Sequence, residues 1–140
     1  MNKYDKAQKA YYEAREGINV KENEKIVLEC KTSWCYLFAR DIKDADIKAH
    51  EQVVLELKTG YCSYKFAKDI KGADIKAHEK AILELKNPEF SCYFAADIPG
   101  ANIEEHFKVI FNSGDKYWLD EFIKYVNYKG TKVEEWIMYI

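Results

Sequence analysis

The chain has 140 residues, of which 48% are hydrophobic and 33% charged, with a formal charge of -2. That length suits one domain able to bury roughly two thirds of its unfolded surface, and no apolar run approaches the roughly 20 residues of a membrane span. Lysines and acids alternate along the chain, which argues against a phosphate-binding surface, and residues 1–6 lack the apolar core of a secretion signal, so a cytoplasmic location is expected.

Tyr4, Ala7, Tyr11 and Ala14 recur at helical spacing without an intervening Gly or Pro, which predicts a first helix over residues 4–16. Gly17 ends it, and Asn19 is suited to cap a second helix from Val20 to about Lys31. Beyond Trp34 the chain repeats itself. The run Tyr36-Leu37-Phe38-Ala39-Arg40-Asp41-Ile42 returns 28 residues later as Tyr64-Lys65-Phe66-Ala67-Lys68-Asp69-Ile70, and again as Cys92-Tyr93-Phe94-Ala95-Ala96-Asp97-Ile98.

Within a copy, Cys35, Phe38, Ala39 and Ile42 form one apolar stripe on a helix A. Asp44, Gly72 and Gly100 then stand where a left-handed residue is wanted, and Asp46, Asp74 and Asn102 supply oxygens to cap a helix B. That helix presents Ile47, His50, Val54 and Leu57 in one copy and Ile75, His78, Ile82 and Leu85 in the next. Helices of about ten residues are too short to stand alone, so stacked hairpins are required to bury both stripes.

Degenerate copies flank these three. Residues 18–30 overlay the second half of the first clear copy, and Trp118, Phe122, Ile123 and Val126 overlay Phe90, Phe94, Ala95 and Ile98. Val133 and Trp136 then take the places of Ile103 and His106. The expected fold is all-α: an α-solenoid of five helix-turn-helix units of about 28 residues in one domain, near 4–33, 34–60, 61–88, 89–114 and 115–140. Turns between units are expected at residues 58–60, 87–88 and 112–115. The aromatic last unit reads as a cap folded onto the core, or as a contact for a homodimer or partner.

Cys30, Cys35, Cys62 and Cys92 occupy four different repeat columns, which suits small buried apolar residues and not a metal or disulfide framework. The histidines share one column, His50, His78 and His106, each nine residues after Asp41, Asp69 and Asp97. Histidines on a regular ladder with steps of about 8 to 10 Å cannot meet at one ion whose ligands lie at about 2 Å. As catalytic pairs they lack a recurring Ser or Cys nucleophile. Each His is therefore expected half-buried on helix B, bonding the Asp of its own hairpin or a turn carbonyl in a structural contact. No cofactor and no enzymatic activity are expected.

The phrase Phe66-Ala67-Lys68-Asp69-Ile70-Lys71-Gly72-Ala73-Asp74-Ile75-Lys76-Ala77 resembles a short helical-hairpin repeat of uncharacterised proteins from low-GC bacteria and their phages. The resemblance covers Trp34 to about Asn112. It implies mobile-element cargo, a class that includes inhibitors of bacterial defence such as anti-CRISPR proteins, with a defence effector or nuclease as partner.

The residues themselves point to a non-enzymatic protein-binding module. Its candidate contacts are the positions that vary while their neighbours stay fixed: Leu37, Lys65 and Tyr93; Arg40, Lys68 and Ala96; Gln52, Lys80 and Lys108. The aromatic residues Trp118, Trp136 and Tyr139 form a second candidate surface. The alternative is an RNA- or DNA-binding helical repeat, for which Lys65, Lys68, Lys71 and Lys76 are the one basic concentration.

Overall fold

A computed structural model describes residues 1–128. Among them are nine helices and no strand: α1 (Lys3–Arg15), α2 (Val20–Cys30), α3 (Trp34–Asp41), α4 (Ile47–Leu57), α5 (Gly60–Asp69), α6 (Ile75–Leu85), α7 (Pro88–Asp97), α8 (Ile103–Ser113) and α9 (Lys116–Tyr128). The helix expected around Val133 and Trp136, and the candidate contacts Trp136 and Tyr139, lie outside the described residues. The chain divides into two compact units, Met1–His78 and Glu79–Ile140, with the division inside α6.

Helix ends follow local chemistry. After α1, the Gly17 N–H bonds the Ala14 carbonyl and the Ile18 N–H bonds that of Glu13, a Schellman closure that needs the left-handed Gly17 at φ 80°. Asp46 and Asn102 accept the N–H of Ala49 and Glu105 at 3.2 Å, and Asp74 accepts that of Ala77 at 3.1 Å, so all three expected caps form. Asn19 departs from expectation: it is left-handed at φ 44° and its side chain makes no cap bond. Gly60 and Pro88 also differ, being the first residues of α5 and α7 instead of turn residues. Pro88 is tolerated there because an N1 residue has no intrahelical use for its N–H, and the Asn87 side chain caps the Glu89 N–H at 2.9 Å.

In the first unit α1 packs on α2 and α3, α3 on α2, α4 and α5, α2 on α4, and α4 on α5. Odd-numbered helices therefore touch the next odd-numbered helix, and α2 touches α4, around a core containing Val27, Cys35, Phe38, Val54 and Phe66. In the second unit α7 packs on α8 and α9, and α8 on α9, around Cys92, Phe107, Ile110, Phe122 and Val126. Phe38, Phe66 and Phe94 share one repeat column and are fully buried. Truncating one to Ala is worth about 3 to 5 kcal/mol. All four cysteines are buried and free, and burial pushes the Cys35 and Cys92 thiols up to about 12, which leaves them protonated.

Candidate functional site

One carboxylate from each of α2, α4 and α6 holds the start of the next even-numbered helix at two points. Oε2 of Glu24 on α2 accepts the Asp46 N–H at 2.8 Å and His50 Nε2–H at 2.9 Å. Oε2 of Glu51 on α4 accepts the Asp74 N–H at 2.7 Å and His78 Nε2–H at 2.9 Å. Oε2 of Glu79 on α6 accepts the Asn102 N–H at 2.7 Å and His106 Nε2–H at 3.0 Å. In an ordinary capping box the third residue of the same helix bonds the N-cap N–H. Here the preceding even-numbered helix supplies that carboxylate.

Each imidazole lies on the phenylalanine of its own hairpin, with ring centroids 5.0 Å apart for Phe38 and His50, 5.1 Å for Phe66 and His78, and 5.3 Å for Phe94 and His106. Burial holds all three histidines below the usual imidazole range, against the opposing pull of Glu24, Glu51 and Glu79. A neutral ring that donates from Nε2 leaves Nδ1 bare, and none of the three Nδ1 atoms has a hydrogen-bond partner among the described residues. The expected pairing of each His with the Asp of its own hairpin is thus overturned. The histidines are fully buried rather than half-buried, and their partner is a glutamate of the preceding hairpin.

The aspartates belong to a different ladder. Asp41, at the end of α3, accepts the Tyr11 hydroxyl, and Asp69, at the end of α5, accepts that of Tyr36. Arg40 grips Asp41 through Nε at 2.7 Å and Nη2 at 2.9 Å and lies over the Tyr36 ring at 5.5 Å. The Arg40 bond holds Asp41 below the usual carboxylate range, and Arg40 is half of a two-pronged pair. At Asp69 burial works the other way, but the Tyr36 hydroxyl and Lys65 at 3.4 Å outweigh it. Burial and Asp69 together push the Tyr36 hydroxyl up to about 12. Asp97 ends α7 and is exposed.

The first unit thus brings Arg40, Lys65 and Lys68 to the α3–α5 surface, each engaged with a tyrosine or an aspartate: Lys68 Nζ lies 5.6 Å from the Tyr64 ring centre. Leu37 is half-buried against the core. On the even-numbered helices, Gln52 is exposed and bonds Glu56 at 3.2 Å, Lys80 is exposed, and Lys108 bonds Glu105 at 3.2 Å.

In the second unit two of the expected partner contacts meet. Tyr93 on α7 and Trp118 on α9 pack edge to face with centroids 5.3 Å apart at 86°. Phe90 adjoins Tyr93 at 6.2 Å and Tyr117 adjoins Trp118 at 4.9 Å, so the strip runs Phe90, Tyr93, Trp118, Tyr117. Phe90, Tyr93 and Trp118 are partly exposed and Tyr117 is 63% exposed. Trp118 Nα–H is capped by Asp115 at 3.2 Å, which sets where α9 begins and so where the indole projects.

Sequence reasoning missed Glu24, Glu51 and Glu79. Their signal is positional: each directly follows a residue of the histidine column, Asn23, His50 and His78, and the next residue of that series is Phe107. No protein-family model matches the chain, and comparison with curated proteins and with solved structures returns no match.

Proposed function

We propose that this chain is a helical-repeat scaffold, a solenoid of five hairpins, whose task is to bind a protein partner without catalysis. The observation that carries the reading is the partly exposed strip of Phe90, Tyr93, Trp118 and Tyr117, because aromatic side chains at a surface supply large contact area at low entropic cost. The repeat architecture supports it. Interior columns such as Phe38, Phe66 and Phe94 are held constant, while an outward column such as Arg40, Lys68 and Ala96 changes from copy to copy. A defence effector or nuclease is the partner that the resemblance of the core phrase implies.

Affinity capture with the tagged chain, run beside a Tyr117→Ala, Tyr93→Ala variant, tests the reading. A stoichiometric protein retained by the parent chain and lost by the variant supports it. Nucleic acid alone, released by raised salt, would sink it in favour of the nucleic-acid alternative.

A further inference from the structure

The aromatic strip of the second unit is set among carboxylates. Helix α7 carries Glu89 and Asp97 and no lysine or arginine; Asp115 just before α9 and Asp120 within it stand against Lys116, while Glu121 is paired with Lys124 at 3.3 Å. Glu89 is wired to the strip itself: its Oε1 accepts the Tyr93 hydroxyl at 3.1 Å. A phenol that donates to a carboxylate has a more electron-rich ring, and an electron-rich ring face attracts cations. Tyr93 and Tyr117 both stand nearly perpendicular to Trp118, at 86° and 83°, so the three rings present walls in differing orientations.

The chain shows the same chemistry within itself. In the two preceding copies a cation of helix A covers a tyrosine: Arg40 lies over Tyr36 at 5.5 Å and Lys68 over Tyr64 at 5.6 Å. In the third copy both members change, to Cys92 and Ala96, while aromatic residues stand at the neighbouring positions Phe90 and Tyr93 and, on α9, at Tyr117 and Trp118.

We infer that the Tyr93, Trp118 and Tyr117 strip, flanked by Glu89, is a docking surface for a lysine- or arginine-bearing segment of a partner protein. This rests on the protein-binding reading above and adds the chemistry of the partner. The alkyl stem of the incoming residue covers the rings, its charged head faces their π-clouds, and Glu89 with the acids at the start of α9 sets the sign of the charge. A strip of three rings binds one or two such residues, so a basic peptide is a weak ligand whose affinity falls as salt is raised.

The test is titration of the isotope-labelled full chain with a synthetic basic dodecapeptide alternating Lys and Arg with Gly. An acidic dodecapeptide of equal length and a single-stranded oligothymidylate serve as comparators. Saturable shifts of the Trp118 indole N–H with the basic peptide alone are expected. Tyr117→Ala weakens that binding by about three- to tenfold, Glu89→Gln weakens it by about two- to fivefold, and Tyr61→Ala, exposed on α5, leaves it unchanged. Tyr117 is exposed and its loss spares the core, so the readout does not depend on a destabilised fold.

Binding that ignores Tyr117→Ala, or shifts confined to other residues, would overturn the inference. Equal binding of the acidic peptide at these rings overturns the cationic chemistry and leaves the protein-binding reading standing. Oligothymidylate binding at the strip overturns both.

Discussion

Oε2 of Glu51 lies 2.9 Å from His78 Nε2 and 2.7 Å from the Asp74 backbone nitrogen, so one carboxylate satisfies a buried and a part-buried donor at the start of α6. Removing it would strand both. Each orphaned donor costs about 1 to 3 kcal/mol, whereas an amide in the same place still accepts one hydrogen bond. Glu51→Ala is expected to lower the unfolding free energy by about 2 to 4 kcal/mol and Glu51→Gln by clearly less. Urea denaturation of the two variants checks the order, and equal losses would show that the carboxylate is not the joint.

Acidification should act through the same contacts. The folded histidines are held below 6.5, chiefly by burial, while the unfolded chain takes up protons at about that value. The unfolded state therefore binds more protons in that window, and the contribution of the histidines, fully present above pH 6.5, is lost as pH falls through the folded values. Facing the rings are Glu24, Asp46 and Phe38 around His50, Glu51, Asp74 and Phe66 around His78, and Glu79, Glu105 and Phe94 around His106. The expected result is a urea midpoint markedly lower at pH 5 than at pH 7.5. Asp41 and Asp69, whose folded values are depressed from 3.8, release their contribution only at still lower pH.

Ser63 and Ser91 occupy the repeat column of Cys35, are buried, and have hydroxyls without a hydrogen-bond partner among the described residues. A buried hydroxyl with no partner costs about 1 to 3 kcal/mol. Ser63→Ala and Ser91→Ala should each raise the melting temperature by a few degrees, the shift expected for about 1 kcal/mol in a chain of this size. A fall in melting temperature for both would contradict the accounting.

Lys31, Lys58 and Lys86 close α2, α4 and α6 in the left-handed region, at φ 51°, 53° and 52°, where α8 uses Gly114 at φ 74°. A β-carbon makes that conformation costly by roughly 1 kcal/mol. Lys58→Gly and Lys86→Gly are expected to stabilise by up to about 1 kcal/mol, and Gly100→Ala, at φ 79°, to destabilise by a similar amount. Thermal unfolding of the variants distinguishes strain relief from a loss of helix propensity, which would make Lys58→Gly and Lys86→Gly destabilising.

The residue that follows Glu24, Glu51 and Glu79 in the repeat series is Phe107, which is fully buried and packs against Phe111 and Phe122 at 5.6 and 5.9 Å. Phe107→Glu would drive an unpaired carboxylate into that apolar cluster, at a cost of several kcal/mol. A folded, equally stable Phe107→Glu chain would mean that the site is open to solvent.

Much of the helical plan could be read from residues alone, because it rests on local chemistry repeated with a fixed period. The caps Asp46, Asp74 and Asn102 and the left-handed Asp44, Gly72 and Gly100 are decided within four residues of each other. Apolar stripes such as Phe38, Ala39 and Ile42 follow from the turn of one helix. Local rules failed at two helix starts: Asn19 has the chemistry of a cap but takes a left-handed backbone, and Gly60 begins a helix where a turn was expected.

The polar contacts were not legible in this way. His50 and Glu24 are 26 residues apart, and Tyr36 and Asp69 are 33 apart, so neither pairing leaves a trace in helical periodicity. Asp41 and His50 are nearer in sequence and recur together, yet they serve separate ladders. Sequence by itself determined the elements, the caps at Asp46, Asp74 and Asn102 and the columns that turn inward, since these depend on backbone preference and hydrophobic spacing. Tertiary structure alone decided which buried histidine meets which carboxylate and that Tyr93 meets Trp118. Those choices depend on the packing of one helix against another, which sets distances that no local rule contains.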